Sequence, residues 1–429
     1  MDARRARGLR QPADGARRFL GSDVSIGIDV FFGGGIYEFQ RQAGIGTLVP
    51  WKDPAELRER FPPELFPREF AGEVFWDEEG RWVGAVLSSF GIIYNRDSLE
   101  RLGIEEPPSQ WEDLADPRFL GEIALADPTK SGSTTKAFEM IVQEQMHENV
   151  DALEAEGLPA AEAEEKGIAA GWADAMRLIQ RIAANARYFT DSATKGPMDV
   201  AKGDSAVGMS IDFYGRYQSE VVATRGGGDR LDYVTPEGAS TLSADPIGIL
   251  RGAPNREEAD LFLDFVLSEA GQRLWGQRVG TEGGPVEYAL RRSPAFRTIY
   301  EGSTREHLSE PEVNPYRQVS DFVYRPDWTG RLFTPLRFLI RVAFIDPKDE
   351  LTAAWKAIRE ARERGDEGAA DAAEAVFSDL EAIRFAEASG PIAEILSSGD
   401  KIDEVRLARE LADHFRAQYE EARRIAEGR

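Results

Sequence analysis

SSFGIIYNRDSLERLGIEEPPSQWEDLADPRFLGEIALADPTKSGSTT, residues 88–135, is the stretch from which the fold is read. FGIIY has the β-branched and aromatic content of a strand, and a short helix follows from near Asp97. PPSQWEDLADPRFLG is a proline-led connector with a short helix, and EIALADP is a second strand, stopped at Asp127-Pro128. SGSTT then runs straight into the amphipathic segment KAFEMIVQEQMHE, so Ser131, Ser133 or Thr134 is placed to cap a long helix. Strands alternating with helices predict α/β layers.

The same alternation extends both ways. Upstream, VSIGIDVFF at 24–32 reads as a buried strand. It runs into Gly33, Gly34 and Gly35, which suit either close backbone approach to a ligand or a tight turn. IYEFQRQAG reads as a short helix, residues 51–72 as surface helices and turns, and EVFWDEEGRWVGAVL as a hairpin turning near Glu78, Glu79 and Gly80. Downstream, the Ala- and Glu-rich residues 151–170 predict a solvent-facing helical insertion, and GWADAMRLIQRIAANARYF another amphipathic helix. The strand AVGMSI delivers Asp212, Phe213 and Tyr214 at its end, RLDYVTPEGAS and SADPIGILRG are further strands, and REEADLFLDFVLSEAGQRLWGQR is one strong helix. From about residue 345 the period becomes helical, with charged faces suited to surface helices.

Composition limits what such a chain does. Its 429 residues suit two or three domains, and 42% hydrophobic with 30% charged residues is a globular balance. A net charge of −24 disfavours nucleic-acid partners. The absence of cysteine excludes disulfides, thiol catalysis and thiolate metal sites. His147, His307 and His414 are scattered, without the HExxH spacing of a zinc hydrolase. There is no GxSxG elbow, no P-loop and no GxGxxG, so neither enzymatic activity nor a cofactor or resident metal is expected.

The remaining candidates are binding groups. Four hydroxyls in SGSTT exceed what a cap needs. A helix start offers unpaired N–H groups and a positive dipole end, so Ser131, Gly132, Ser133 and Thr134 form either an anion cradle or an ordinary cap. In DFYGRY, Tyr214 and Tyr217 suit an aromatic wall or a phenolate ligand, and Asp212 suits an amine or a metal. Both also suit a polar strand end with a buried aromatic. Arg216 suits bidentate anion recognition or a salt bridge. GTEGGPV at 280–286 is a loop that exposes backbone, and Ser88 and Ser89 could face a cleft.

In order and spacing these pieces resemble the extracellular solute-binding proteins of ATP-driven (ABC) importers, family 1, in the branch that includes ferric-iron and 2-aminoethylphosphonate binders. The resemblance is carried by IDVFFGGG at 28–35, the quoted 88–135 stretch with its Trp-x-Asp-Leu, Asp-Pro and Ser-Gly-Ser-Thr-Thr elements, GDSAVGMSIDFYG at 203–215 and DPIGILRGAPNREEADLFLDFVLSEAGQRLW at 245–275. It implies an α/β two-lobe periplasmic-binding-protein-like fold of type II with a C-terminal helical extension. Lobe 1 would comprise 1–88 plus 246–345, lobe 2 would comprise 89–245, and helices 346–429 would pack mainly on lobe 1. It further implies a small-molecule solute held between the lobes, an ABC permease as partner, a monomeric periplasmic or extracellular protein, and ligand contacts from Gly34, Gly35, Ser88, Ser131, Gly132, Ser133, Thr134, Asp212 and Tyr214. Iron-binding members place adjacent tyrosines on the metal, whereas Phe213-Tyr214 offers one phenol. The expected solute is therefore a phosphonate, organophosphate or carboxylate. Ferric iron or a polyamine, a two-lobe enzyme and a non-transport sensor are the alternatives. The leader MDARRARGLRQPADGARRFLG has no apolar segment and replaces the secretion signal and first strand of the family, from which a chain truncated at its N-terminus is expected.

Overall fold

The computed structural model describes residues 26–319 and 321–429. The leader, and residues 24 and 25 of the first expected strand, lie outside the described residues. The chain divides into two compact units: one takes the described residues up to Ser88 and Leu242–Tyr316, the other Ser89–Thr241 and Arg317–Arg429.

The first unit opens with β1 (Val30–Phe32), α1 (Ile36–Gly44), β2 (Leu48–Val49), α2 (Pro54–Arg60), the small hairpin β3 (Glu69–Phe70) and β4 (Glu73–Val74), and β5 (Val83–Ser88). The second unit follows with β6 (Phe90–Asn95), α3 (Arg96–Arg101), β7 (Ile123–Ala126), α4 (Gly132–Ala155), α5 (Ala160–Asn185), β8 (Ala186–Thr190), α6 (Lys195–Lys202), β9 (Val207–Ile211), α7 (Asp212–Val222) and β10 (Leu231–Val234). The chain returns to the first unit through β11 (Ser243–Leu250), α8 (Arg256–Val266), α9 (Glu269–Gly276) and β12 (Ser293–Pro294). It ends in the second unit with α10 (Phe333–Ile340), α11 (Lys348–Glu363), α12 (Glu367–Phe377) and α13 (Lys401–Ala426).

In the first unit the sheet order is β1-β11-β5-β12, with β2 also on β11, and every pairing is antiparallel. Because β1 and β5 both oppose β11, their carboxyl ends share one edge, where β12 begins. The first strand is shorter than its composition suggests. Val30 sits opposite Ile249 and the Asp29 carbonyl accepts from Leu250 N–H; beyond that point β11 passes into a turn, and Ile26 and Ile28 stay exposed. The turn at Glu78–Gly80 is closed by Gly80 N–H on the Asp77 carbonyl, with Arg81 on the Asp77 carboxylate at 2.7 and 2.9 Å. The single strong helix expected at 256–278 is two. Ser268 caps the second by accepting Gly271 N–H at 3.1 Å, and the chain closes so tightly there that a Cβ on Gly271 would meet the Phe265 carbonyl at 2.1 Å.

The second unit's sheet runs β10-β6-β9-β7-β8, with β9, β7 and β8 mutually parallel and β6 and β10 antiparallel at one side. Three strands therefore end on one carboxyl edge and pass into α4, α6 and α7. Residues 151–170 form the end of α4 and the start of α5, mostly exposed as expected. The exceptions are Ala163 and Gly167; Gly167 and the next buried glycine, Gly171, let α5 lie against α4, since a Cβ on Gly171 would stand 2.4 Å from the Met146 Cα.

The C-terminal helices correct one expectation. Residues 317–345, assigned to lobe 1, and helices 346–429, expected to pack on it, belong to the second unit. The reason lies in α5, whose buried polar groups find their partners there. Trp172 Nε1 donates to the Ile383 carbonyl at 2.9 Å, and the Gln180 amide donates to the Phe377 carbonyl and the Tyr419 hydroxyl at 2.8 and 3.0 Å. Trp355 Nε1 donates to Asn185 Oδ1 at 3.0 Å. Around these bonds Trp172, Phe344, Ile358, Phe377, Phe415 and Tyr419 join one core, each side chain contributing roughly 1.5–3 kcal/mol on burial. Among the described residues no helix is long and apolar enough to cross a membrane.

Candidate functional site

In an open α/β sheet, ligands sit outside the carboxyl ends of the strands, where helix amino ends converge. In the second unit that edge is built by β7 and β9, neighbours with Ala124 opposite Gly208. β7 leads through Asp127-Pro128 to α4, and β9 leads directly into α7.

The hydroxyl run divides its tasks. Ser131 is the N-cap of α4, its Oγ accepting Thr134 N–H at 3.2 Å. Thr135 is fully buried and donates to the carbonyls of Pro128 at 2.8 Å and Ser131 at 3.1 Å. The hydroxyls of Ser133 and Thr134 are engaged by no group among the described residues. Gly132 is exposed, and Gly132 and Ser133 supply the first two N–H groups of the helix, which have no intrahelical acceptor. The first turn of α4 contains no acidic residue, so no carboxylate of its own answers the positive end of this 24-residue helix.

The neighbouring helix start is arranged differently. Asp212, read as a group for an amine or metal, is completely buried. Its carboxylate accepts Phe213 N–H at 2.8 Å and is paired with Arg216, one turn along α7. Asp212 and Arg216 thus hold each other, and the amino end of α7 is answered from within. Tyr214 is half-buried with its ring 4.2 Å from that of Phe213, and Tyr217 is exposed. Behind them lies Tyr233, whose phenol is held well above its ordinary pKa by burial and then by the Asp212 charge. The antiparallel β6 brings Ser89 to the same edge, where its carbonyl accepts Asp212 N–H at 3.0 Å.

Gly34, Gly35 and Ser88 belong to the first unit. Gly33 and Gly34 have φ of +82° and +91°, which explains glycine at both; Gly35 is an extended N-cap of α1. A Cβ at any of the three would meet nothing within 4 Å. Ser88 is 4% exposed at the end of β5, donating to Asp245 Oδ2 at 3.4 Å and accepting from Arg292 Nη2 at 3.3 Å. Arg292 also pairs with Asp245 and lies over the Trp275 ring at 5.9 Å. Of this serine–aspartate–arginine–tryptophan group at the carboxyl edge of the first sheet, only Ser88 was read from sequence, and Asp245, Arg292 and Trp275 were missed. Its arginine precedes a strand of two residues, too short to give a periodic signal. The 280–286 segment is a surface loop in which Gly280 N–H donates to the Pro285 carbonyl at 3.1 Å.

The chain folds as two α/β units, and in the second the starts of α4, α6 and α7 gather on one carboxyl edge. The chain belongs to the bacterial extracellular solute-binding proteins, whose family model matches residues 23–285. It is 28% identical over 253 residues to an uncharacterised protein of Haemophilus influenzae, covering 58% of this chain and 61% of that one. It is 23% identical over 284 residues to the phosphoglycerate transport regulatory protein PgtC of Salmonella typhimurium, covering 66% and 58%. It is 26% identical over 204 residues to iron uptake protein A1 of Synechocystis, covering 46% and 49%. The chain spans about three-fifths of the length of the first two curated relatives.

Proposed function

We propose that this chain captures a small oxyanion outside the cytoplasm and delivers it to the permease of an ATP-driven importer, binding it without transforming it. The solute is a phosphate ester, phosphonate or carboxylate. The observation that carries this reading is the amino end of α4 at the carboxyl edge of the second sheet. It has no acid in its first turn, its first two N–H groups are those of Gly132 and Ser133, and the hydroxyls of Ser133 and of the largely buried Thr134 bond no described group. Such an end attracts negative charge and supplies directional donors. Tyr214 then closes the aromatic side. The Salmonella relative, named for phosphoglycerate transport, supports the same solute class.

Ferric iron is the second reading, favoured by the name of the Synechocystis relative and by the Tyr214 phenol. A bare cation gains nothing from the α4 amino end, so this reading puts the metal on Tyr214 instead. Thermal-shift and calorimetric titration with 3-phosphoglycerate, 2-aminoethylphosphonate, succinate and ferric citrate tests both. Stabilisation by a phosphorylated or carboxylated solute that saturates with concentration is expected. Stabilisation by ferric iron alone would replace the oxyanion reading.

A further inference from the structure

We infer that Glu112, Glu144 and Glu148 form a binding site for a calcium-type divalent cation, away from the carboxyl edge and independent of the solute reading. One carboxylate oxygen from each lies within 4.8 Å of the others. Glu144 and Glu148 are one turn apart on α4 and share a face. Glu112 comes from the 3-10 turn Trp111–Ala115 that precedes β7. That turn is held by Trp111, fully buried with Nε1 donating to the Ala239 carbonyl at 2.8 Å, and by Asp113, which accepts the N–H groups of Ser109 and Gln110 at 2.7 and 2.9 Å. The backbone that carries Glu112 is therefore fixed by the fold, while the Glu112 and Glu148 side chains are themselves exposed and only Glu144 is buried.

The observation that points to a ligand is Glu144 itself. It is 8% exposed, and its Oε2 is buried with no hydrogen-bond partner. A buried acidic group left in that state costs free energy that a folded protein ordinarily removes by pairing. Its charged neighbours make matters worse, since the charges acting on it are those of Glu112 and Glu148. The Gln145 amide donates to Glu112 Oε1 at 2.8 Å and Glu148 Oε2 at 2.9 Å, which draws those two together. Turned over, the same amide presents its oxygen, adding a neutral donor to the three carboxylates.

An all-oxygen set excludes the metals that prefer thiolate or imidazole. Calcium takes six to eight oxygens in a flexible shell, whereas magnesium demands a near-ideal octahedron and keeps most of its waters, so a set of several carboxylates from two elements suits calcium better. Glu144 lies twelve residues past Gly132, about 18 Å along α4, which separates the cation from the oxyanion cradle.

The test is calorimetric titration and thermal unfolding of the chelator-treated full chain with calcium and with magnesium. One calcium per chain is expected, with a rise in the unfolding temperature and weaker magnesium binding. Glu144→Gln keeps the shape and relieves the buried charge, so it folds. It should bind calcium at least about tenfold more weakly, because even outer groups of metal sites are worth ~10–100-fold. Glu154→Gln, an exposed acid on the same helix, should leave affinity unchanged. Absence of calcium binding in the wild type, or equal affinity in wild type and Glu144→Gln, overturns the assignment.

Discussion

Replacing the hydroxyls of Ser131, Ser133 and Thr134 one set at a time separates the cap of α4 from its proposed cradle. Ser131 Oγ accepts Thr134 N–H at 3.2 Å, so Ser131→Ala removes an N-cap worth about 1 kcal/mol and lowers stability by that amount. Ser133 and Thr134 bond no described group through their hydroxyls, so the double variant Ser133→Ala/Thr134→Ala loses mainly the packing of the buried Thr134 methyl, about 0.5–1.5 kcal/mol. Binding should distinguish the two. A hydrogen bond to a charged group contributes about 1.5–3 kcal/mol, and about 1.4 kcal/mol is a factor of ten in affinity. Losing even one such bond weakens an oxyanion about ten- to a hundredfold, while the remaining N–H groups keep the binding measurable. Urea unfolding gives the first quantity, and calorimetry with 3-phosphoglycerate or whichever oxyanion the solute screen identifies gives the second. Unchanged affinity in the double variant, with the fold retained, would refute the cradle.

Three further outcomes follow from packing and charge. Burial holds the Lys348 ammonium down to about 8, from 10.5. The cost of charging it in the fold, about 3 kcal/mol, is therefore full below pH 8 and fades as pH rises to 10.5. Lys348→Met should gain up to that amount at pH 7 in urea unfolding, with the gap closing above pH 10.5; a gap constant with pH contradicts this. Gly171→Ala should lower stability by about 1–3 kcal/mol, because its Cβ would press on the Met146 backbone; an unchanged unfolding temperature contradicts that. Arg216→Leu leaves the fully buried Asp212 without its cation and should cost about 3–5 kcal/mol. Adding Asp212→Asn should recover part of that loss, as a double-mutant cycle would show.

The second unit was legible because its signals are local. FGIIYN and EIALA have strand composition, and Ser131 precedes a long amphipathic helix that it does cap. Which hydroxyl caps and which stand clear was not legible, since Ser131, Ser133 and Thr134 are equally good caps until the backbone sets the register. The helices after 345 were visible as helices, but nothing in their periodicity says which unit they cover. That is decided by Trp172, Gln180 and Asn185 on α5, whose polar atoms meet Ile383, Phe377 and Trp355 roughly two hundred positions away. That Asp212 is fully buried and paired was not legible, because a carboxylate at a strand end looks available in sequence. Only the fold shows Arg216 closing back on it. Arg292 and Asp245 were invisible for the same reason, being partners across a sheet and not along the chain.

α4 is the element through which these assignments can be told apart. Its amino end carries the proposed cradle, and Glu144 and Glu148 lie about 18 and about 24 Å further along it. If the two sites are independent, calcium leaves oxyanion affinity unchanged, Glu144→Gln alters only the calcium response, and Ser133→Ala/Thr134→Ala alters only the solute. A rigid helix packed along its length on α5 favours that outcome, because neither site has a second helix position to select. Should calcium change oxyanion affinity by some factor, linkage requires the oxyanion to change calcium affinity by the same factor. Titrating each ligand in the presence of the other measures both sides. Equal factors different from one would make α4 a coupling element with two arrangements, and factors of one would leave the cation as a local clasp between the Trp111–Ala115 turn and the helix.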